Sequence, residues 1–155
     1  MADFNLMAPS QHLTVSVGSG VILGLLLRSW VAGLSCCLIG IFIDLDHFLD
    51  FWINRGFTLS IHEFLDFCCC GTSATFYDIL HGYEYIPLYV WLTIFPVLRC
   101  LGWGLTVGYL LHLLCDQFFN THLNRWTYFL SYRLFHRFDS SKIVLHSPLV
   151  RHTYQ

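Results

Sequence analysis

Charge is scarce in this 155-residue chain: Asp, Glu, Lys and Arg make up 12% of it while 55% is hydrophobic, against about 25% charged residues in ordinary soluble domains. So few charges cannot cover a water-facing surface, and the sequence reads as an integral membrane protein. Paired cysteines are also lacking. Seven cysteines occur, but Cys36-Cys37 and Cys68-Cys69-Cys70 are contiguous and no C-x-x-C exists. That argues against thiolate metal sites and secreted disulfide scaffolds and for reduced thiols. No Lys or Arg precedes the first apolar run, so a cleaved signal peptide is not expected. No apolar run reaches the ~20 residues of an ordinary transmembrane helix. Either the helices continue through their polar ends, or the protein sits shallowly in one leaflet. Internal repeats and low-complexity stretches are absent, and residues 1–155 read as one unit.

What the chain does have is apolar segments that end in polar groups. Pro9-Ser10 marks a helix start, which puts His12 in the first turn. Residues 13–27 are apolar or small, with Gly18, Gly20 and Gly24 allowing a neighbouring helix close. After Arg28-Ser29 a second run, 30–43, predicts a tight antiparallel hairpin and ends in Asp44-Leu45-Asp46-His47-Phe48-Leu49-Asp50. Residues 51–85 form a polar insertion with two capping signatures. Ser60-Ile61-His62-Glu63 predicts a short amphipathic helix ended by Gly71, and Thr75-Phe76-Tyr77-Asp78 predicts another that carries His81 and Glu84. A third run, 86–98, is delimited by Pro87 and Pro96. The fourth, 103–119, carries His112 and Asp116 on one helix face, with Asn120 one turn on.

Residues 121–155 form a basic aromatic tail, with Arg125, Arg133, Arg137, Lys142 and Arg151 against Asp139 alone. Basic and aromatic residues interleave over 125–138, which predicts an interfacial helix at anionic headgroups and not a nucleic-acid site. The expected fold is all-α: an integral membrane bundle of four apolar helices with short amphipathic helices on the cytoplasmic side. The positive-inside rule puts the Arg-rich C-terminus in the cytoplasm, and four crossings bring the N-terminus there too.

In that topology His12, Asp44, Asp46, His47, His81, Glu84, His112 and Asp116 all fall at the cytoplasmic ends of the four segments. Imidazole and carboxylate suit zinc or a similar divalent ion, and so many donors imply either two or three ions or one ion whose ligands are held by the remaining groups; manganese and iron fit the same residue types. Each element has a plainer reading. His12 alone reads as a helix-end residue, Asp44-x-Asp46-His47 as a solvated cap, His81-x-x-Glu84 as surface polarity, and His112-x-x-x-Asp116 as a buried hydrogen bond or proton relay. Their convergence on one side favours metal. His62 and Asp66 read as a solvated face, Asp50 and Asp78 as groups that orient ligands, and His122 as a further candidate. His136, His146 and His152 read as unrelated.

Gly40-Ile41-Phe42-Ile43-Asp44-Leu45-Asp46-His47, an N-terminal His12, and Gly108-Tyr109-Leu110-Leu111-His112-Leu113-Leu114-Cys115-Asp116 resemble the YdjM-like group of bacterial inner-membrane metal-dependent hydrolases. Leu80-His81-Gly82-Tyr83-Glu84 is similar to a His-x-x-Glu element of related membrane proteins. The group is distantly similar to the zinc-dependent phospholipase C superfamily, all-helical enzymes with metal clusters. The resemblance covers most of residues 12–120. Ile43 stands where proline often precedes the D-x-D-H element, and no second H-x-x-x-E helix follows His122. The resemblance implies His12, His81, His112 and Asp116 as ligands and Asp44 or Asp46 as bridging group and catalytic base. The expected function is hydrolysis of a phosphoester, on a phospholipid or lipid-linked phosphate, in the inner membrane. The competing expectations are a structural metal site with a partner-recruiting tail, in which a protein partner or second copy would bind, and a small ion or proton carrier.

Overall fold

The computed structural model describes residues 9–70, 75–121 and 123–145. Among them every regular element is helical: α1 (Pro9–Leu26), α2 (Trp30–Phe42), α3 (Leu45–Arg55), α4 (Ile61–Cys70), a 3-10 turn (Tyr83–Tyr85), α5 (Ile86–Leu92), α6 (Arg99–Phe119), a second 3-10 turn (Arg125–Tyr128), α7 (Leu130–Phe135) and α8 (Ser140–Ile143). Of two isolated β-bridges, Thr75 with Asp139 ties the C-terminal segment to the rest, and Leu123 with Val144 closes that segment on itself.

Small residues set how closely the long helices pack. Arg28 turns the chain in a left-handed conformation (φ 49°), and Ser29 caps α2 by accepting from Ala32 N–H at 3.3 Å. α1 and α2 then meet backbone to backbone: a Cβ on Gly20 would stand 2.7 Å from the Gly33 carbonyl oxygen, and one on Gly33 equally close to that of Gly20. α6 lies against the other side of α2, where a Cβ on Gly104 would overlap Ser35 Oγ and one on Gly108 the Cys36 carbonyl. Small-residue seams of this kind suit helices that cannot rely on a hydrophobic drive to associate.

α2 runs on into α3 with only Ile43 and Asp44 between them. Together they make one 26-residue helical run, Trp30–Arg55, long and apolar enough by length and composition to cross a membrane; Ser10–Leu26 is apolar but shorter. Its buried side carries Ala32, Ser35, Cys36, Gly40, Ile43, Asp46 and Asp50. Its opposite side exposes Trp30, Leu34, Leu38, Phe42, Leu45, Leu49 and Ile53.

Three sequence expectations need correction. Residues 75–82 do not form a helix from Thr75, because Phe76 N–H donates to the Phe138 carbonyl and Thr75 bridges to Asp139. The backbone groups a helix would use are taken by the C-terminal segment. The apolar run 86–98 is helical only over Ile86–Leu92, with Pro87 in its first turn, and gives way to turns over residues 93–98, which include Pro96. The basic tail is not one interfacial helix: it folds as the second 3-10 turn and α7, and it buries Arg133 completely. The α4 expectation holds, since Ser60 Oγ accepts from Glu63 N–H at 3.3 Å; Gly71, its expected stop, lies outside the described residues.

The apolar core gathers Ile43, Tyr109, Leu113, Leu123, Tyr128 and Ile143, where the end of α2, the second half of α6 and the C-terminal segment meet. This places the start of α1, the α2–α3 junction and the second half of α6 beside the 78–82 turn.

Candidate metal centre

Four imidazoles and several carboxylates converge at that junction. On α6, His112 points Nδ1 at the Gly40 carbonyl oxygen, 2.9 Å away. A carbonyl only accepts, so Nδ1 carries the hydrogen. Nε2 then faces Asp116 Oδ2 at 3.1 Å, Asp44 Oδ1 at 3.2 Å and His81 Nε2 at 3.3 Å. His81 is anchored in the same way, its Nδ1 3.2 Å from Asp46 Oδ2. Its Nε2 lies 3.5 Å from both Asp44 Oδ1 and Asp116 Oδ2. His47 repeats the pattern: Nδ1 sits 2.9 Å from Asp78 Oδ1, and Nε2 lies 3.6 Å from Asp44 Oδ1. His12, in the first turn of α1, stacks on His112 with ring centroids 4.5 Å apart and brings Nε2 within 3.2 Å of Asp116 Oδ1.

Acceptors fix three Nδ1–H groups, and three Nε2 atoms are thereby aimed at the carboxylates of Asp44 and Asp116. In metal sites a ligating histidine is held by this same bond from its other nitrogen. Neutral imidazoles in these tautomers present lone pairs to one another and to carboxylate oxygens, so the arrangement requires a cation. Protons can serve: burial alone would depress the His81 imidazole, but Asp46, Asp44 and Asp116 outweigh it and push it up to about 10.

A metal ion fits the same place. Donors sharing one ion at the zinc bond length of about 2.0–2.1 Å in tetrahedral array stand about 3.3 Å apart, and the His81–His112 nitrogens are 3.3 Å apart. Among the described residues Asp46 Oδ1 is buried without a hydrogen bond, although His81 Nδ1 lies 3.1 Å from it, because the single ring hydrogen is directed at Oδ2. Potential ligand atoms fall into three groups, each within 4.8 Å: His12, His112 and Asp116; Asp44, His81 and His112; and Asp46, His47 and His81.

Seven of the eight sequence-derived site residues therefore meet. Glu84 does not join them. Its carboxylate accepts from Leu130 N–H at 2.9 Å and from Ser131 N–H and Oγ–H at 2.8 and 2.7 Å, which ties the start of α7 to the chain after His81. Those bonds outweigh its partial burial and hold the carboxyl below the usual glutamate range. Asp46 stands behind His81, accepting also from Leu80 N–H at 2.7 Å, and is 2% exposed. The Asp44 and His47 side chains are about one-third exposed, whereas those of His81, His112 and Asp116 are at most 5% exposed. The cluster opens on the Asp44 side.

Asp78 holds His47, as its candidacy as an orienting group anticipated. Burial pushes its carboxyl up, but His47, His81 and Arg133 outweigh burial and keep it low. Asp50 accepts from Tyr77 N–H and Asn54 Nδ2–H. His62 and Asp66 pair in the open, away from the site. His136 packs against Tyr132 and Phe135. His122, His146 and His152 lie outside the described residues.

Two residues that sequence reasoning missed shape the site. Tyr109 Oη contacts the Leu80 and Gly82 carbonyls and accepts from Gly82 N–H; its position one turn before His112 was the available signal. Arg133 donates from Nη1 to the Asp78 carbonyl at 2.5 Å and from Nη2 to the His81 carbonyl at 2.9 Å.

Comparison of the chain with protein-family models, with curated proteins and with solved structures finds no match.

Proposed function

We propose that the protein is a membrane-embedded, metal-dependent phosphoester hydrolase of the kind its YdjM-like motifs resemble, acting on a phospholipid or lipid-linked phosphate. The observation that carries this reading is the set of inward-facing Nε2 atoms of His47, His81 and His112, each with Nδ1 anchored and all directed at Asp44. A divalent ion in such a set supplies charge neutralisation for a phosphate and a lowered pKa for bound water. Zinc suits the imidazole-rich donors, and manganese or iron suits the carboxylates.

The chain's own residues divide the remaining work. His12, His47, His81, His112 and Asp116 are the ligand candidates. Asp44, at the opening and in reach of three imidazoles, would hold or bridge the ions and would be the base for a water there. Asp46 and Asp78 orient His81 and His47. His112 offers one nitrogen to a metal, so it would serve only one of the two groups that include it, whereas the groups His12, His112, Asp116 and Asp46, His47, His81 share no residue and would suit two ions.

The exposed apolar side of Trp30–Arg55 supports a lipid setting, and a phosphoester lipid could then approach laterally. The proposed location is the inner membrane, with several crossings and both termini cytoplasmic. The test is hydrolysis by purified protein loaded with zinc, manganese or iron, using phospholipid in mixed micelles and a water-soluble phosphodiester. Release from the phospholipid should vanish with a chelator and fall at least ~100-fold in Asp44→Asn, the scale of a lost general base. Bound metal with no turnover on either substrate would replace this reading by a structural metal site. The engagement of Arg133 and Glu84 within the fold weighs against a tail left free to recruit a partner.

A further inference from the structure

We infer that Arg133 is a positioning residue of this centre, acting through the backbone of the 78–82 turn on both His81 and His47; the inference rests on the reading of the cluster as a metal site. The turn that delivers His81 has no helix or strand to hold it. Its geometry is imposed from outside, by Tyr109 from α6, by Asp46 through Leu80 N–H, and by Arg133 from α7. The guanidinium spans the turn, with one nitrogen on the Asp78 carbonyl and the other on that of His81. A rigid planar fork can fix two acceptors at a set separation, which a lysine ammonium cannot.

Two further observations tie this fork to the site. Asp78 has φ +24°, a conformation a non-glycine residue keeps only where its surroundings over-determine it. The Arg133 contact on its carbonyl, together with His81 N–H on the same oxygen at 3.1 Å, supplies that restraint. The Asp78 carboxylate in turn holds His47 Nδ1. One fork therefore sets the ring carried by His81 and the acceptor that orients His47.

Arg133 is 0% exposed, and its Nε has no hydrogen-bond partner among the described residues. A buried cation with an unpaired donor is a poor means of gaining stability, because an apolar side chain of similar size would fill the space without that cost. Placement of the two carbonyls is what an apolar replacement would lose.

The experiment compares wild type, Arg133→Met, Arg133→Lys, His81→Ala and the Arg133→Met/His81→Ala double variant, all as the 155-residue chain in detergent. Affinity is read by titration with cobalt(II) and the centre by its visible absorption. Arg133→Met should weaken cobalt binding ~10- to 100-fold, the usual cost of losing an outer-shell partner, with Arg133→Lys between it and wild type. In the His81→Ala background the same change should cost much less, since the two residues act through one turn. Unchanged affinity in Arg133→Met, or equal losses in both backgrounds, overturns the inference. If Arg133→Met does not fold, Arg133→Lys carries the comparison in both backgrounds. Side-chain 15N NMR of the metal-free protein gives a readout separate from metal binding: Arg133→Met should alter the His81 and His47 signals and spare His12. Wild type without cobalt affinity would sink the metal reading, and an unchanged His81 signal would sink the role of Arg133.

Discussion

His112 shows how much of a site one side chain can decide. Its Nδ1–H is held by the Gly40 carbonyl, so the tautomer is set by a backbone atom of α2 and Nε2 alone is left for a ligand. The spacing of His112 and Asp116 was legible in the sequence because four residues return to one helix face. His81 was legible as a candidate but not in its placement: its conformation depends on Arg133 and Tyr109, which reach it from distant segments. Glu84 looked like its companion three residues on, yet its carboxylate accepts three hydrogen bonds from residues 130 and 131. Those bonds make a pH prediction. A carboxyl held below its ordinary range stabilises the fold fully above the unfolded pKa, and that contribution is lost as the pH falls through the depressed folded value. Glu84→Gln should therefore lower stability at neutral pH and flatten the acid limb of a denaturation profile in detergent. An acid limb identical to wild type would contradict the assignment.

At the scale of elements, sequence and structure agree where a local rule operates without competition. The Ser60 cap begins α4, and Gly20 and Gly24 of α1 approach Gly33 of α2, whereas Gly18 faces away from it. The rule at Thr75 failed because its signature is satisfied only if the backbone is free to coil, and residues 138 and 139 had already engaged it. The glycine seam makes a paired prediction. A Cβ on Gly108 would run into the Cys36 carbonyl and Ile39, whereas one on Gly18 would meet nothing within 4 Å among the described residues. Gly108→Ala must force α6 away from α2 and should cost about 1–3 kcal/mol, as overpacking does. Gly18→Ala removes backbone freedom in an exposed helical position and should add about 0.5–1 kcal/mol. Chemical denaturation of the two variants in detergent measures both, and equal effects would mean that the α2–α6 seam is not tight.

For the whole molecule, the question left by the short apolar runs was whether the helices stop at their polar residues. The exposed residues answer it for the second run, since Leu45, Leu49 and Ile53 continue the apolar side of Trp30, Leu34, Leu38 and Phe42 past Asp44 and Asp46. From residue 30 to 53 a helix rises about 35 Å, comparable to the ~30 Å of a hydrocarbon core. The sequence left both outcomes open because hydropathy averages both sides of a helix, while only one side carries the carboxylates. In the proposed membrane setting the metal centre then lies within the bilayer's depth and beside lipid. Spin labels on Leu34→Cys and Leu49→Cys should collide more with oxygen than with a water-soluble nickel chelate, and a label on Arg125→Cys should do the reverse. Water-like exposure at Leu49 would place the end of the apolar segment before the site.

The metal content of the purified protein bears most directly on all of this. Elemental mass spectrometry of wild type should find stoichiometric zinc, manganese or iron, and the His112→Ala, Asp116→Ala double variant, folded by circular dichroism, should have lost it. Wild type that stays metal-free after incubation with each ion, or a double variant that retains the ion in full, would contradict a metal centre at this junction.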